Sequence, residues 1–137
     1  MDLIFPDAGL VEQLNRVLTG SVKYHLYTAN VTPTRSTVLT DLDASEASWT
    51  GYAAVTQTWT DYTINGVAAH NGYALAPPIS FANTSGSTQN PYGYYVTNTG
   101  STILLACARF DGAPTPILTG TSLLLVPVWG DFSRLGA

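Results

Sequence analysis

The chain has 137 residues, with 5 basic and 9 acidic side chains, a formal charge of −4 and only 10% charged residues, where a typical soluble protein has roughly 25%. So few Lys and Arg exclude a nucleic-acid binder or a polybasic membrane-surface module, because neutralising several phosphates needs clustered cations. The 19 threonines outnumber all the ionised side chains, so polarity rests on hydroxyls, which suit strands and can be buried against another protein at lower desolvation cost than charges.

Cys107 is the only cysteine, which excludes an intrachain disulfide and a cysteine-based metal cluster. The start, Met1 to Pro6, lacks the basic region and apolar stretch of a secretory signal. The longest apolar run, Ser122 to Trp129, is less than half a membrane span. These features lead us to expect a soluble protein made in a reducing cytoplasm, with no membrane partner.

The first periodic segment is Asp7 to Leu18, where Leu10, Leu14 and Leu18 recur at helical spacing with Val11 and Val17 on the flanks. Pro6 and Asp7 mark its entry and Gly20 its stop. Ser21 to Asn30 alternates Val22, Tyr24 and Leu26 with Lys23, His25 and Tyr27, the period of a strand. Thr37 to Ala47 reads as a loop with one helical turn. Gly51 to Thr58 and Trp59 to Ile64 read as strands, and Asn65-Gly66 as a hairpin turn into Val67 to His70, because both central positions of a type I′ turn need positive φ. Asn71-Gly72 repeats that signal before Tyr73 to Ala76. Ile79 to Ala82, a polar loop from Asn83 to Asn90, Tyr92 to Thr97, Thr102 to Phe110 and Thr121 to Trp129 complete the chain. Short strands with frequent turns and no helix between them predict an all-β fold: an antiparallel β-sandwich or jelly-roll-like domain with one short N-terminal α-helix. Residues 1–20 form the arm and helix, and residues 21–137 the sandwich, of a single domain.

Titratable groups are scarce. His25 falls on the polar side of its strand and His70 beside the Asn71-Gly72 turn; with no third partner set by spacing, both read as surface or turn histidines. Asp41, Asp43 and Ser45 start a calcium-loop pattern, but Glu46 stands where the sharp turn needs Gly and Tyr52 where a bidentate Glu is required. Those acids read instead as the start of a helical turn. Cys107 reads as a packed thiol with the Arg109 guanidinium turned away from it. Asn30-Val31-Thr32 and Asn83-Thr84-Ser85 match the glycosylation acceptor pattern and, without a leader, read as exposed turns. No catalytic residue, cofactor or metal site is expected.

The eight Tyr, three Trp and four Phe gather around Tyr92, Tyr94 and Tyr95 and around Trp49, Tyr52, Trp59 and Tyr62. They read chiefly as filling between two sheets, with at most half of them facing outward to meet a protein partner or a sugar. Leu123-Leu124-Leu125-Val126 is continuous rather than alternating, as in strands buried on both faces, so its outer side needs the helix or another subunit. The expected partner contacts are Leu3, Ile4 and Phe5 in the arm and Trp129, Phe132 and Leu135 in the tail.

Several segments together resemble small virion structural proteins of tailed bacteriophages. They are Tyr24-His25-Leu26-Tyr27-Thr28-Ala29-Asn30-Val31-Thr32-Pro33, Leu39-Thr40-Asp41-Leu42 through Glu46-Ala47, Gly51-Tyr52-Ala53 and Tyr92-Gly93-Tyr94-Tyr95-Val96. The chain departs from that pattern at Leu42-Asp43-Ala44-Ser45. The resemblance implies a non-enzymatic β-sandwich in the virion, assembled in the host cytoplasm. Capsid cement or decoration is the leading role, with a homo-oligomer, a trimer by preference, bound between major capsid subunits. The alternative it leaves open is a tail or fibre component with a carbohydrate-binding sandwich. No chemical role is carried over to any residue.

Overall fold

In a computed structural model of the chain, residues 21–58, 74–75, 78–126 and 128–129 are described. The elements are β1 (Ser21–Tyr27), α1 (Leu39–Asp43), β2 (Val55–Thr58), β3 (Ala74–Leu75), β4 (Ile79–Asn83), β5 (Gly93–Asn98), β6 (Leu104–Arg109), β7 (Thr121–Leu125) and β8 (Val128–Trp129). The sheets have the orders β2-β1-β5-β6, β3-β8 and β4-β7, and the β1–β5, β5–β6, β3–β8 and β4–β7 pairs are antiparallel. The fold is therefore all-β. The chain divides into two compact units, one of residues 21–57 with 79–125, the other of residues 1–20, 58–78 and 126–137.

In the first unit, β1 is flanked by β2 and β5 and is buried on both faces. Tyr24 and Leu26 are buried on one side, and His25 and Tyr27 on the other. Alternation alone would leave the second set in water; here it is covered by the chain that follows β1. Val38 N donates to Asp41 Oδ2 at 2.9 Å and Asp41 N to Val38 O at 3.0 Å, capping the single turn α1. That turn delivers Leu42 into a cluster with Tyr27 and Tyr95, against which Val31, Leu39, Tyr92, Leu104 and Cys107 pack. Tyr24, Tyr27, Tyr95 and Phe81 are among the largest fully buried side chains. Burial of Phe81 is worth about 1.5–3 kcal/mol in water-transfer terms. The loop with one helical turn expected between Thr37 and Ala47 is thus the lid of the main cluster.

The expected last strand from Thr121 to Trp129 is two strands: β7 pairs with β4, and β8 with β3. Nor is its apolar run buried on both faces. Leu123 and Leu125 are half-buried opposite the buried Phe81 and Ile79, whereas Leu124 lies opposite the exposed Ser80 and is 66% exposed. A two-stranded ribbon alternates its faces, so a continuous apolar run in it leaves one row outside. The predicted helix at Asp7 to Leu18, the strands at Trp59 to Ile64 and Val67 to His70, and Leu3, Ile4, Phe5, Phe132 and Leu135 lie outside the described residues. Trp129 is described only through its backbone in β8.

Gly93 marks a close approach between strands. A Cβ there would run into Ala108 O of β6 and would sit 2.5 Å from the Tyr27 hydroxyl of β1. Replacing Gly93→Ala should cost about 2–3 kcal/mol, the upper part of the range for overpacking, because the obstacle is partly backbone. The check is a fall in the urea midpoint at unchanged slope; an unchanged midpoint would contradict this packing.

Candidate functional site

His25 is not a surface histidine: it is 2% exposed. It pairs in register with Tyr95 across β1 and β5, and the two rings stack with centroids 4.6 Å apart and planes 7° from parallel. Its Nδ1 donates to Glu46 Oε1 at 2.7 Å, and its Nε2 lies 2.9 Å from Thr97 Oγ1. A carboxylate only accepts, so the Nδ1 proton is fixed by Glu46. The same Oε1 accepts from the Tyr52 hydroxyl at 3.0 Å, and that hydroxyl in turn accepts from Leu26 N at 3.1 Å.

Glu46 reaches this place through the backbone. Thr28 N donates to Ser45 O at 2.8 Å and Ala47 N to Leu26 O at 2.9 Å, so residues 45–47 run along the end of β1, with Glu46 bridged to Tyr27. Both bonds described for its carboxylate fall on Oε1, and the side chain is 29% exposed. Oε2 carries neither of them.

Glu46 stands at the edge of a cleft of about 570 Å³, within the ~300–1,000 Å³ of small-molecule sites. One wall comes from Thr28 and the segment Ser48, Trp49 and Thr50; the other from Ser85, Thr88, Gln89 and Asn90. Trp49 is half-buried and held at its edge: Nε1 donates to Ala82 O at 2.9 Å, and the ring meets Tyr52 at 5.3 Å in a T-shaped contact. Tyr52 stacks on Phe81 of β4 at 5.9 Å. Gly51, at φ 94°, lets this wall approach the other: Thr84 N donates to Thr50 O at 2.9 Å, and any Cβ at Gly51 would lie 2.9 Å from Thr84 N.

The second wall is organised by Asn83, which is fully buried. Its Nδ2 donates to Ser87 O at 2.9 Å and Ile117 O at 2.8 Å, while Oδ1 accepts from Ser85 N at 3.0 Å and Ser85 Oγ at 2.6 Å. All of its amide protons and lone pairs are used, so this asparagine is a structural pin, not the exposed turn its acceptor pattern suggests. Gln89 Nε2 donates to Ser85 Oγ at 3.0 Å, and Gln89 bridges to Ile117, which ties the loop from Asn83 to Asn90 down.

Of the aromatic positions considered, Tyr95 is fully buried, Tyr94 packs against Tyr24 and Phe110, and Tyr92 lies under the Arg109 guanidinium at 5.2 Å. Of the three, Tyr95 lies in the interior and Tyr92 and Tyr94 are half-buried. Trp59, Tyr62 and His70 lie outside the described residues. Asp41 caps α1 and Asp43 accepts from the Tyr95 hydroxyl at 3.3 Å; among the described residues no group of His, Cys, Asp and Glu has a metal-binding arrangement. Cys107 lies opposite Tyr95 and Arg109 opposite Gly93 in the β5–β6 register, two apart on one strand, so their side chains leave the same face of the sheet. The guanidinium is nevertheless committed elsewhere, to Val31 O at 3.0 Å, and burial pushes the thiol up. Glu46, Gln89 and Asn90 were not legible as a site, since the pairing that brings them together is set by sheet register and not by spacing.

Comparison with protein-family models, with curated proteins and with solved structures gives no match.

Burial raises the hydroxyl pKa of Tyr24, Tyr27, Tyr52, Tyr94 and Tyr95 above the ordinary 10.0, with Glu46 adding to the rise at Tyr52 and Tyr95. Folded tyrosines therefore hold their protons longer than unfolded ones. This contribution to stability is complete below pH 10 and falls as pH rises past it, since the unfolded chain ionises first. Ultraviolet titration should show a group of tyrosines ionising only together with loss of the near-ultraviolet circular dichroism. Reversible ionisation of all eight near pH 10 with the fold intact would contradict this burial.

Proposed function

We propose that the protein is a non-enzymatic structural component of a tailed-phage virion, a β-sandwich that cements or decorates the capsid by binding, as a homo-oligomer, between major capsid subunits. One observation carries the reading. In a chain with 5 basic and 9 acidic residues, the described residues leave Ile103, Leu105, Leu118, Leu124 and Val126 exposed, from 44% for Leu105 to 66% for Leu124. Leu105 lies on β6, at the edge of its sheet, and Leu124 on a two-stranded ribbon. Edge strands of freely diffusing proteins are usually guarded by charge. Here β6 carries Arg109 alone and β7 no charge. Apolar rows of this kind are what a neighbouring subunit would cover, and many weak contacts repeated around a shell add up through avidity. The arm residues Leu3, Ile4 and Phe5 and the tail residues Trp129, Phe132 and Leu135 remain part of the proposed contact set.

A second reading, a tail or fibre component that binds carbohydrate, is favoured by the polar cleft with Trp49 in its wall.

The test of the first reading is copelleting of the purified chain with expanded capsids from the same source. The wild type should saturate at a fixed ratio to the major shell protein. Leu124→Glu and Leu105→Glu, at exposed positions, should keep the melting temperature and lower apparent affinity about tenfold or more, the scale of a central contact residue. Deleting residues 1–6 should abolish binding. Absence of copelleting, or full occupancy by all three variants, would contradict the reading.

A further inference from the structure

We infer that the cleft between Glu46, Trp49 and Gln89 is a binding site for an uncharged saccharide; this rests on the carbohydrate reading and deepens it by assigning it a place and a ligand class. The chemistry of the lining carries the assignment. A pyranose presents a face of C–H groups and a rim of hydroxyls that both donate and accept. The matching surface needs one aromatic ring for the first, and mixed donors and acceptors for the second. The cleft has both: the Trp49 indole, and around it a carboxylate, two carboxamides and several hydroxyls.

The groups divide into those that hold the site and those left to bind. Trp49 is anchored at Nε1 by Ala82 O, Gln89 Nε2 is anchored by Ser85 Oγ, and Glu46 Oε1 is anchored by His25 and Tyr52. Each anchor uses one end of its side chain. The half-buried indole is held by Ala82 O and by its contact with Tyr52, and its carbon face, with Gln89 Oε1 and Glu46 Oε2, makes none of these hydrogen bonds, so the groups left to bind are held in place by a buried network. Ser48, Thr50, Thr88 and Asn90 are exposed on the two walls and add adaptable donors and acceptors.

Charge selects the class. The only ionised side chain in the lining is the Glu46 carboxylate, and the lining holds no Lys or Arg. A sialic or uronic acid would bring a second carboxylate to a wall with one already and no cation to balance it. A phosphorylated ligand fails for the same reason, and an apolar one would leave the lining's amides and hydroxyls unpaired. A neutral sugar hydroxyl can donate to Glu46 Oε2 in a charge-assisted bond. A single carboxylate also fits retention of the ligand and not its cleavage, which in most glycosidases takes a flanking pair.

The experiment is a printed array of neutral and acidic glycans probed with the full chain, followed by titration of the strongest neutral glycan into 15N-labelled protein. The expected result is saturable binding of neutral glycans alone, with the largest shift at the Trp49 indole N–H, assigned from the Trp49→Phe spectrum. Trp49→Ala should weaken binding at least tenfold and Trp49→Phe less. Thr88→Trp, which fills the cleft from an exposed loop, should abolish binding at unchanged melting temperature, keeping the test valid if the Trp49 variants unfold. Glu46→Gln should weaken binding severalfold. Saturable glycan binding that Thr88→Trp leaves intact would overturn the cleft assignment while leaving the carbohydrate reading standing. Preference for acidic glycans would overturn the ligand class, and no binding to any glycan would overturn both readings.

Discussion

Three stretches of chain that are distant in sequence meet at one imidazole. His25 joins β1 to β5 through the Tyr95 stack and Thr97, and joins both to the segment after α1 through Glu46. Buried polar groups are costly unless satisfied, so this arrangement excludes most alternatives: slipping β1 by one residue would turn the imidazole to the other face, away from Glu46, Thr97 and Tyr95. Register, the position of Glu46 and the orientation of Tyr52 are thus fixed together. The cleft inherits its geometry from that bond network, because Tyr52 supports both Glu46 and Trp49.

A chain poor in charge also has to satisfy much of its polar interior with neutral groups. Asn83 shows how: one amide makes four hydrogen bonds, to Ser85, Ser87 and Ile117, and so ties down the loop that follows it. Hydroxyls and carboxamides do here what salt bridges do elsewhere, and they do so without the desolvation penalty of full charges. The same economy leaves the outside with few charges, so Leu124, Leu105 and Ile103 stand exposed without the guard that edge strands commonly carry. Interior and exterior thus share one compositional cause, and the proposed role in a shell is where such an exterior would be covered.

The strands at 21–27, 79–83, 93–98 and 104–109 were legible because apolar and aromatic runs bounded by Gly, Pro and Asn encode them locally. So was the turn at 39–43, from its leucines and acids. What could not be read was which side of β1 is buried. Alternation marks His25 as polar, but only the long-range pairing with Tyr95 and the return of Glu46 make that side an interior. Asn83 misled for the same reason, since a glycosylation pattern says nothing of Ile117, 34 residues away, which takes one of its protons. The leucine run at 123–125 looked doubly buried because its partner strand, with Ser80 facing Leu124, is not visible in the run itself.

The link between His25 and Glu46 is measured most directly by a double-mutant cycle in urea, comparing His25→Ala, Glu46→Ala and the pair with the parent chain, since a glutamine would still accept from the imidazole. If the imidazole and the carboxylate act as one unit, the coupling energy should be at least about 1 kcal/mol, within the range seen for residues of a shared network. Additive losses, with coupling indistinguishable from zero, would show that the two side chains stabilise the fold independently and that the cleft is not held by the buried histidine.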